Sequence, residues 1–297
     1  MQEINITQVI IDTINTLCSN LFSSIDNSLY PILDDIVFIN KDILKLNNIE
    51  NILGANINSG FLLIANSLCL GIILYYSVKL LFSYNIGLEI ERPFHFIFKI
   101  IIFIIIMNFS YFICEQIINL ISLVSLTIRE VGENLFNKEI CFASLITELN
   151  STLFIEQNNF NIFTLDGLLK SIISFGLFNL ILSYALRYVM IKVFVLIAPF
   201  AFLSLINKST DWFFKSWFKT FLSLLFIQVL SSIIMLICFS VNESVTKDAG
   251  NIFNKLILLG AVYALIKAND YIKQFMGGIS TTVQTGISNI QNSIGMR

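Results

Sequence analysis

Thr220 to Asn242, TFLSLLFIQVLSSIIMLICFSVN, contains no charged side chain. About 20 consecutive apolar residues cover the hydrocarbon core of a bilayer as a helix. A chain holding such a run is committed to a membrane-crossing helix there, and its other segments must fit around that commitment. The rest of the sequence agrees: 56% of the residues are hydrophobic and 13% charged, against about a quarter charged in soluble domains. With 28 Phe, 13 Gly and 3 Pro, little material is left for loops. The expected class is an all-α, polytopic membrane protein.

Four further stretches read as spans. GFLLIANSLCLGIILYYSV, 60–78, is free of charge. A second runs from about Phe96 to Leu120, with Lys99 able to snorkel from its first turn. Residues 168–206 are apolar except for Lys170, Arg187 and Lys192. They form one span with a surface-hugging continuation, or two short spans turning at RYVMIK. The weakest candidate is 251–268, where Lys255 and Lys267 bracket a short uncharged core.

Charge bias arbitrates, because cytoplasmic loops collect Lys and Arg. With about five spans, the amino terminus outside and the carboxy terminus inside, the inner segments hold Lys79, Arg92, Lys99, Lys208, Lys215, Lys219, Lys267, Lys273 and Arg297. Most acidic residues then fall outside. This gives five parts: an extracytoplasmic amphipathic region 1–59, two spans with a cytoplasmic turn 60–128, an extracytoplasmic cap 129–167, three spans 168–268, and a polar tail 269–297. Pro199 is expected to break the helix that carries it. The opening MQEINITQVIID does not read as a cleaved leader, since Glu3 and Asp12 stand where a cationic start belongs.

NKSTDWFFKSWFKT, 207–220, separates the two most apolar regions. On a helical wheel Lys208, Asp211, Lys215 and Lys219 share one side, and Phe213, Phe214, Trp217, Phe218 and Phe221 the other. Tryptophan favours the headgroup layer and lysine the anionic cytoplasmic leaflet. Residues 207–219 therefore read as a short amphipathic helix at the cytoplasmic face, with Lys208, Trp212, Lys215, Trp217 and Lys219 as its anchors.

Outside the bilayer, Ile6, Val9, Ile10, Ile14, Leu17, Leu21, Ile25 and Leu29 recur at helical spacing until Pro31 stops the pattern. The cap is too apolar for a solvated linker, and Phe142, Leu145 and Leu149 are its candidate protein interface. Its acids, Glu130, Glu133, Glu139, Glu148, Glu156 and Asp166, would repel phosphate, so direct gripping of nucleic acid is not expected there.

Catalytic chemistry is not evident. The one histidine, His95, lies in a short turn, and no HExxH, GxSxG or Walker loop occurs. No cofactor or metal is expected, and the chain reads as a non-enzyme. Polar residues inside spans are the remaining candidates: Asn66, Asn108, Glu115, Asn179, Arg187, Lys192 and Gln228. Asn and Gln read as hydrogen-bonding glue between helices, and Arg187 and Lys192 as snorkelling to the cytoplasmic face. Cys69, Cys114 and Cys238 read as buried small hydrophobes. Cys18 and Cys141 fall outside, where a bridge is permitted but not assigned.

The run LRYVMIKVFVLIAPFAFLSLINKSTDWFFKSWFKTFLSLLFIQVLSSIIMLI, with Ala198-Pro199 after an apolar stretch and the Trp/Lys block behind it, resembles the core of TrbL-type (VirB-six-like) polytopic proteins of conjugative type IV secretion systems. GLEIERPFHFIFKIIIFIIIMNFSYF, from 87, is similar to that family's cytoplasmic turn and second span. The resemblance implies a non-enzymatic inner-membrane subunit that oligomerises, contacts other secretion subunits and helps form the path for a DNA-protein substrate, direct and indirect contact with that substrate both being left open. A small-solute transporter is the alternative, although the halves show no convincing repeat.

Overall fold

The computed structural model describes residues 6–45, 49–54, 60–86, 93–152, 161–247 and 252–276. Its regular elements are all helical: α1 (Ile6–Val37), α2 (Ile49–Leu53), α3 (Phe61–Ile86), α4 (Pro93–Asn108), α5 (Ser110–Phe136), α6 (Phe142–Thr152), α7 (Leu165–Leu203), α8 (Asp211–Lys247) and α9 (Ile252–Met276), with 3-10 turns at Lys41–Leu44 and Ser204–Ile206. Among the described residues four segments are long and apolar enough to cross a membrane: Phe61–Ser83, Ser110–Phe136, Gly167–Ile206 and Asp211–Glu243. The molecule is a helical membrane protein.

Local chemistry sets several helix ends. Thr164 caps α7, its hydroxyl accepting from the Gly167 N–H at 3.1 Å. α5 stops at Asn137, which adopts φ 53° and returns its N–H to the Glu133 carbonyl. Asparagine tolerates this left-handed position better than most residues.

Two prolines behave differently from expectation. α1 runs through Pro31 to Val37. Burial of Leu33 and Val37 beyond it offsets a proline penalty of about 3 kcal/mol. Pro199 does not break α7, which continues to Leu203. Next to Val195, the carbonyl position left without an N–H partner by Pro199, the Phe194 carbonyl accepts the Trp217 indole N–H at 2.9 Å. Trp217 thus ties this turn of α7 to α8 beside the proline, without itself bonding the Val195 carbonyl.

The expected second span, 96–120, is divided. α4 ends at Asn108 and α5 begins at Ser110, with Phe109 at φ −87°, ψ 5° between them. The Asn108 amide donates to the Ile104 carbonyl at 2.8 Å, competing with the backbone ladder one turn back. It also accepts from Asn66 at 3.4 Å. That contact and the stacked rings of Tyr76 and Phe96 make α3 and α4 an antiparallel hairpin. The fifth expected span is too short by composition: the apolar part of α9 covers only Leu256–Ala268.

Around this hairpin stands a bundle. α7 and α8 are antiparallel, since Phe194 meets Trp217 while Tyr184 meets Ser231. α5 runs parallel to α8, with Ser125 on Ser232 and Phe136 on Phe239. α9 packs along α8 and α7. Phe61, the first residue of α3, lies 6.0 Å from Phe200 near the carboxy end of α7. Strict alternation of five spans would put residue 60 outside and residue 200 near the inner face, on opposite sides of the bilayer. The observed contact does not accommodate that arrangement. The region 1–59 is likewise not wholly peripheral: Ile39, Ile43 and Leu44 are buried among α5 and the second half of α7.

Apolar packing divides into two cores. The first joins the end of α1 to α6, the first half of α7, the second half of α8 and α9. The second joins residues 39–44 to α3, α4, the start of α5, the second half of α7 and the first half of α8.

Candidate functional site

Where the two cores meet, the buried side chains turn polar. On α8 the boundary falls between Leu225 and Ile227, and on α7 between Tyr184 and Ile191. Ser125 of α5, Tyr184 and Arg187 of α7, and Gln228, Ser231 and Ser232 of α8 are all buried at this level. Gln228, Ser231 and Ser232 follow the i, i+3, i+4 spacing of one helical face, and Tyr184 and Arg187 are three apart on the facing helix.

Arg187 organises the layer. It is 1% exposed; its Nε donates to the Leu224 carbonyl at 2.6 Å, Nη1 to the Val37 carbonyl at 3.0 Å and Nη2 to Gln228 Oε1 at 3.4 Å. Its guanidinium carbon lies 5.5 Å from the Tyr184 ring. Val37 is the last residue of α1, so the cation faces the negative end of that helix, where a positive charge is favoured. Gln228 Oε1 also accepts the Ile39 N–H at 3.0 Å. The first backbone groups after α1 are thus held from both sides.

Serines close the layer. Ser125 and Ser232 hydroxyls are 2.7 Å apart, and Ser232 donates to the Gln228 carbonyl at 3.0 Å. Tyr184 hydrogen-bonds Ser231, which donates to the Ile227 carbonyl. The Gln228 Nε2 group is buried with no partner. An unsatisfied buried donor costs about 1–3 kcal/mol, so this layer is not optimised for stability alone.

The other expected positions are distributed elsewhere. Arg187 does not snorkel; it is enclosed by main-chain oxygens in the bundle interior. Lys192 is largely buried beside the Tyr188 ring, 4.4 Å from its centroid. Glu115 and Asn179 are half-buried on different helices, and neither is joined to the layer. Asn108 serves the α3–α4 hairpin. His95 is exposed in the first turn of α4.

The segment 207–219 is not a separate helix. Residues 207–210 form a turn, and α8 starts at Asp211 and continues without interruption to Lys247. Lys208, Lys215 and Lys219 are exposed. Its tryptophans part company: Trp212 is 64% exposed, whereas Trp217 is 3% exposed among Phe202, Phe214 and Phe221. Trp217 is therefore a packing residue rather than a headgroup anchor.

Phe142, Leu145 and Leu149 also change role. All three are buried in the first core with Leu33 and Val37, so the interface they form lies within this chain. The Asp34 carboxylate, on α1, accepts the Phe142 N–H at 3.1 Å and caps α6. Burial raises the Asp34 pKa, opposed by the backbone hydrogen bond to Phe142 and by nearby Arg129. Glu148 receives Lys138 and the Asn242 amide, tying α6 to the end of α8, and Lys170 donates to Asn150 at 2.7 Å. Glu156 lies outside the described residues, as do Glu89, Glu91, Arg92 and the tail beyond Met276.

Cys18, Cys69, Cys114, Cys141 and Cys238 are free thiols. Among the described residues no group of three His, Cys, Asp or Glu could hold a metal ion. Comparisons with protein-family models, with curated proteins and with solved structures return no match.

Proposed function

We propose that the chain is a membrane subunit of a conjugative type IV secretion machine. It acts without catalysis, oligomerises in the cytoplasmic membrane and lines or braces the path taken by a DNA-protein substrate. The reading rests on the resemblance of 168–242, with Ala198-Pro199 followed by the Trp/Lys block. The α7–α8 pair, joined at that block and carrying a polar layer inside it, is a physically suitable wall for such a path.

Deleting the gene in donor cells and restoring it on a plasmid tests the idea. Loss of transfer to recipients, with growth unaffected and transfer restored by the wild-type chain, is expected. Normal transfer together with impaired uptake or efflux of a small solute would instead establish the transporter reading, which the buried Arg187–Gln228 layer also suits. Sidedness is tested separately: a cysteine at Ser216, in a chain without its native cysteines, resists an impermeant thiol reagent in intact cells if the α7–α8 turn is cytoplasmic.

A further inference from the structure

α1 is a long helix with few fully buried side chains among those described, tied to the bundle by Phe22 on Phe175, by the Ile162 N–H on Asn15 and by the Phe142 N–H on Asp34. Across its 32 residues, only Phe22, Leu33 and Val37 are buried among the side chains described. Val9, Ile10, Leu17 and Leu21 are half or more exposed. Its far end nevertheless enters the most polar level of the bundle. There Arg187 holds the Val37 carbonyl and Gln228 holds the Ile39 N–H. Both ties are to main-chain atoms, so they depend on where the backbone lies and not on which side chains it carries.

Releasing those two ties would leave Arg187 with its Leu224 and Gln228 contacts, and would free donor and acceptor groups beside the already unpaired Gln228 Nε2. The side chains that would border the vacated space are Ser125, Arg187, Gln228 and Ser232, flanked by apolar cores on both sides. The layer is thus provisioned with more hydrogen-bonding groups than the closed arrangement satisfies.

We propose that α1 and the turn after it form a detachable strap, latched by Arg187 and Gln228, whose release opens a polar slot between the two apolar cores. The proposal does not depend on the secretion reading. The strap separates from α5, α7 and α8 while those three helices stay packed, because they also hold one another directly: Trp217 on Phe194, Phe136 on Phe239, and Tyr184 on Ser231. Phe22, Leu33 and Val37 on α1 and Ile39, Ile43 and Leu44 in the turn are the buried apolar contacts that full opening must expose, which keeps the closed state favoured.

The test uses the full chain in detergent, carrying Cys18→Ser, Cys69→Ser, Cys141→Ser and Ile39→Cys. Native Cys114 and Cys238, both buried, report on the second and first core respectively. The rate of maleimide labelling is measured at each of the three thiols. The strap requires Ile39→Cys to react about tenfold faster than both references, the factor carried by roughly 1.4 kcal/mol. Adding Gln228→Ala, which removes one latch bond, accelerates Ile39→Cys by about a further factor of ten and leaves Cys114 and Cys238 unchanged. Equal rates at all three thiols overturn the proposal, as does a Gln228→Ala variant in which all three accelerate together.

Discussion

α3 and α8 are alike in sequence and unlike in position. Both qualify as membrane-crossing helices, with mean hydropathy of 2.0 and 2.5 in their most apolar stretches, yet 11% of that stretch is buried in α3 and 56% in α8. The difference follows from what each helix adds to its apolar residues. α8 places Gln228, Ser231, Ser232 and Asn242 against polar groups outside it: Arg187 and the Ile39 N–H on Gln228, Tyr184 on Ser231, Ser125 on Ser232 and Glu148 on Asn242. α3 offers Asn66 to Asn108 and turns Ser67 and Ser77 back onto its own carbonyls. Hydropathy places a helix in the membrane. Polar residues with partners place it in the interior of the bundle, because lipid and leucine are equally apolar and give no reason to associate.

The sharpest test of that contrast truncates one leucine in each helix. Leu225 is buried and Leu74 is 67% exposed. Leu225→Ala should destabilise the protein in detergent by about 2–5 kcal/mol, and Leu74→Ala by less than about 0.5 kcal/mol. Comparable losses in a thermal or denaturant titration would mean that α3 is as tightly packed as α8, and the comparison would fail.

The polar ties should differ in the same sense. Arg187→Met strands the Val37 and Leu224 carbonyls in the interior, a loss of about 3 kcal/mol. Asn66→Leu removes a long hydrogen bond between membrane helices, for which about 0.6 kcal/mol is typical. The same titration ranks them, and a larger effect for Asn66→Leu would relocate the organising contact to the hairpin.

Asp34 supplies a pH-dependent refinement. Its folded pKa lies above the unfolded value because burial disfavours the charged form. The stability linked to this group is therefore fully present below the unfolded pKa, and is lost as pH rises through the folded one. Asn keeps a cap oxygen for Phe142 without the charge. Asp34→Asn should therefore be at least as stable as the native chain at neutral pH, with its advantage shrinking as the pH falls toward 4, near the ordinary carboxyl value. A melting-temperature series over pH that shows the opposite trend would assign the charge to the Arg129 contact instead.

At the bottom of the scale, Lys215→Ala removes an exposed pair with Asp211 at 2.7 Å, expected to be worth about 0.3–0.5 kcal/mol in the first turns of α8. A loss above about 1 kcal/mol in the same measurement would give that turn a role in holding α8 beyond the packing of Trp217.

The α3–α8 contrast also marks what could be read from the sequence. Membrane helices were legible wherever charge was absent, as in 220–242, and so was the all-helical class. The division at Phe109 was not, because Asn108 in an apolar run is as compatible with binding a neighbouring helix as with bending its own. Pro31 and Pro199 misled for a shared reason: local backbone preference was overruled by packing that only the assembled bundle supplies. The polar layer lay in view as Gln228-x-x-Ser231-Ser232 and Tyr184-x-x-Arg187, two spacings that each mark one helical face. What sequence lacked was the knowledge that those faces meet. Arg187 consequently read as an intramembrane residue snorkelling to the cytoplasmic face, and Phe142, Leu145 and Leu149 as a surface for another protein.

α7 has 39 residues, an axis of about 58 Å, while a bilayer with its headgroups is about 40–45 Å thick. It either tilts or projects, and it carries Thr164 and the Lys170–Asn150 contact at one end and Phe200, against the start of α3, at the other. Its polar ties at Arg187 lie toward the middle of that length. Rotating it by about 5° as a rigid rod moves one end relative to the other by about 5 Å, the rise of one helical turn. A small angular adjustment in the bilayer would therefore reach both faces at once, in opposite directions.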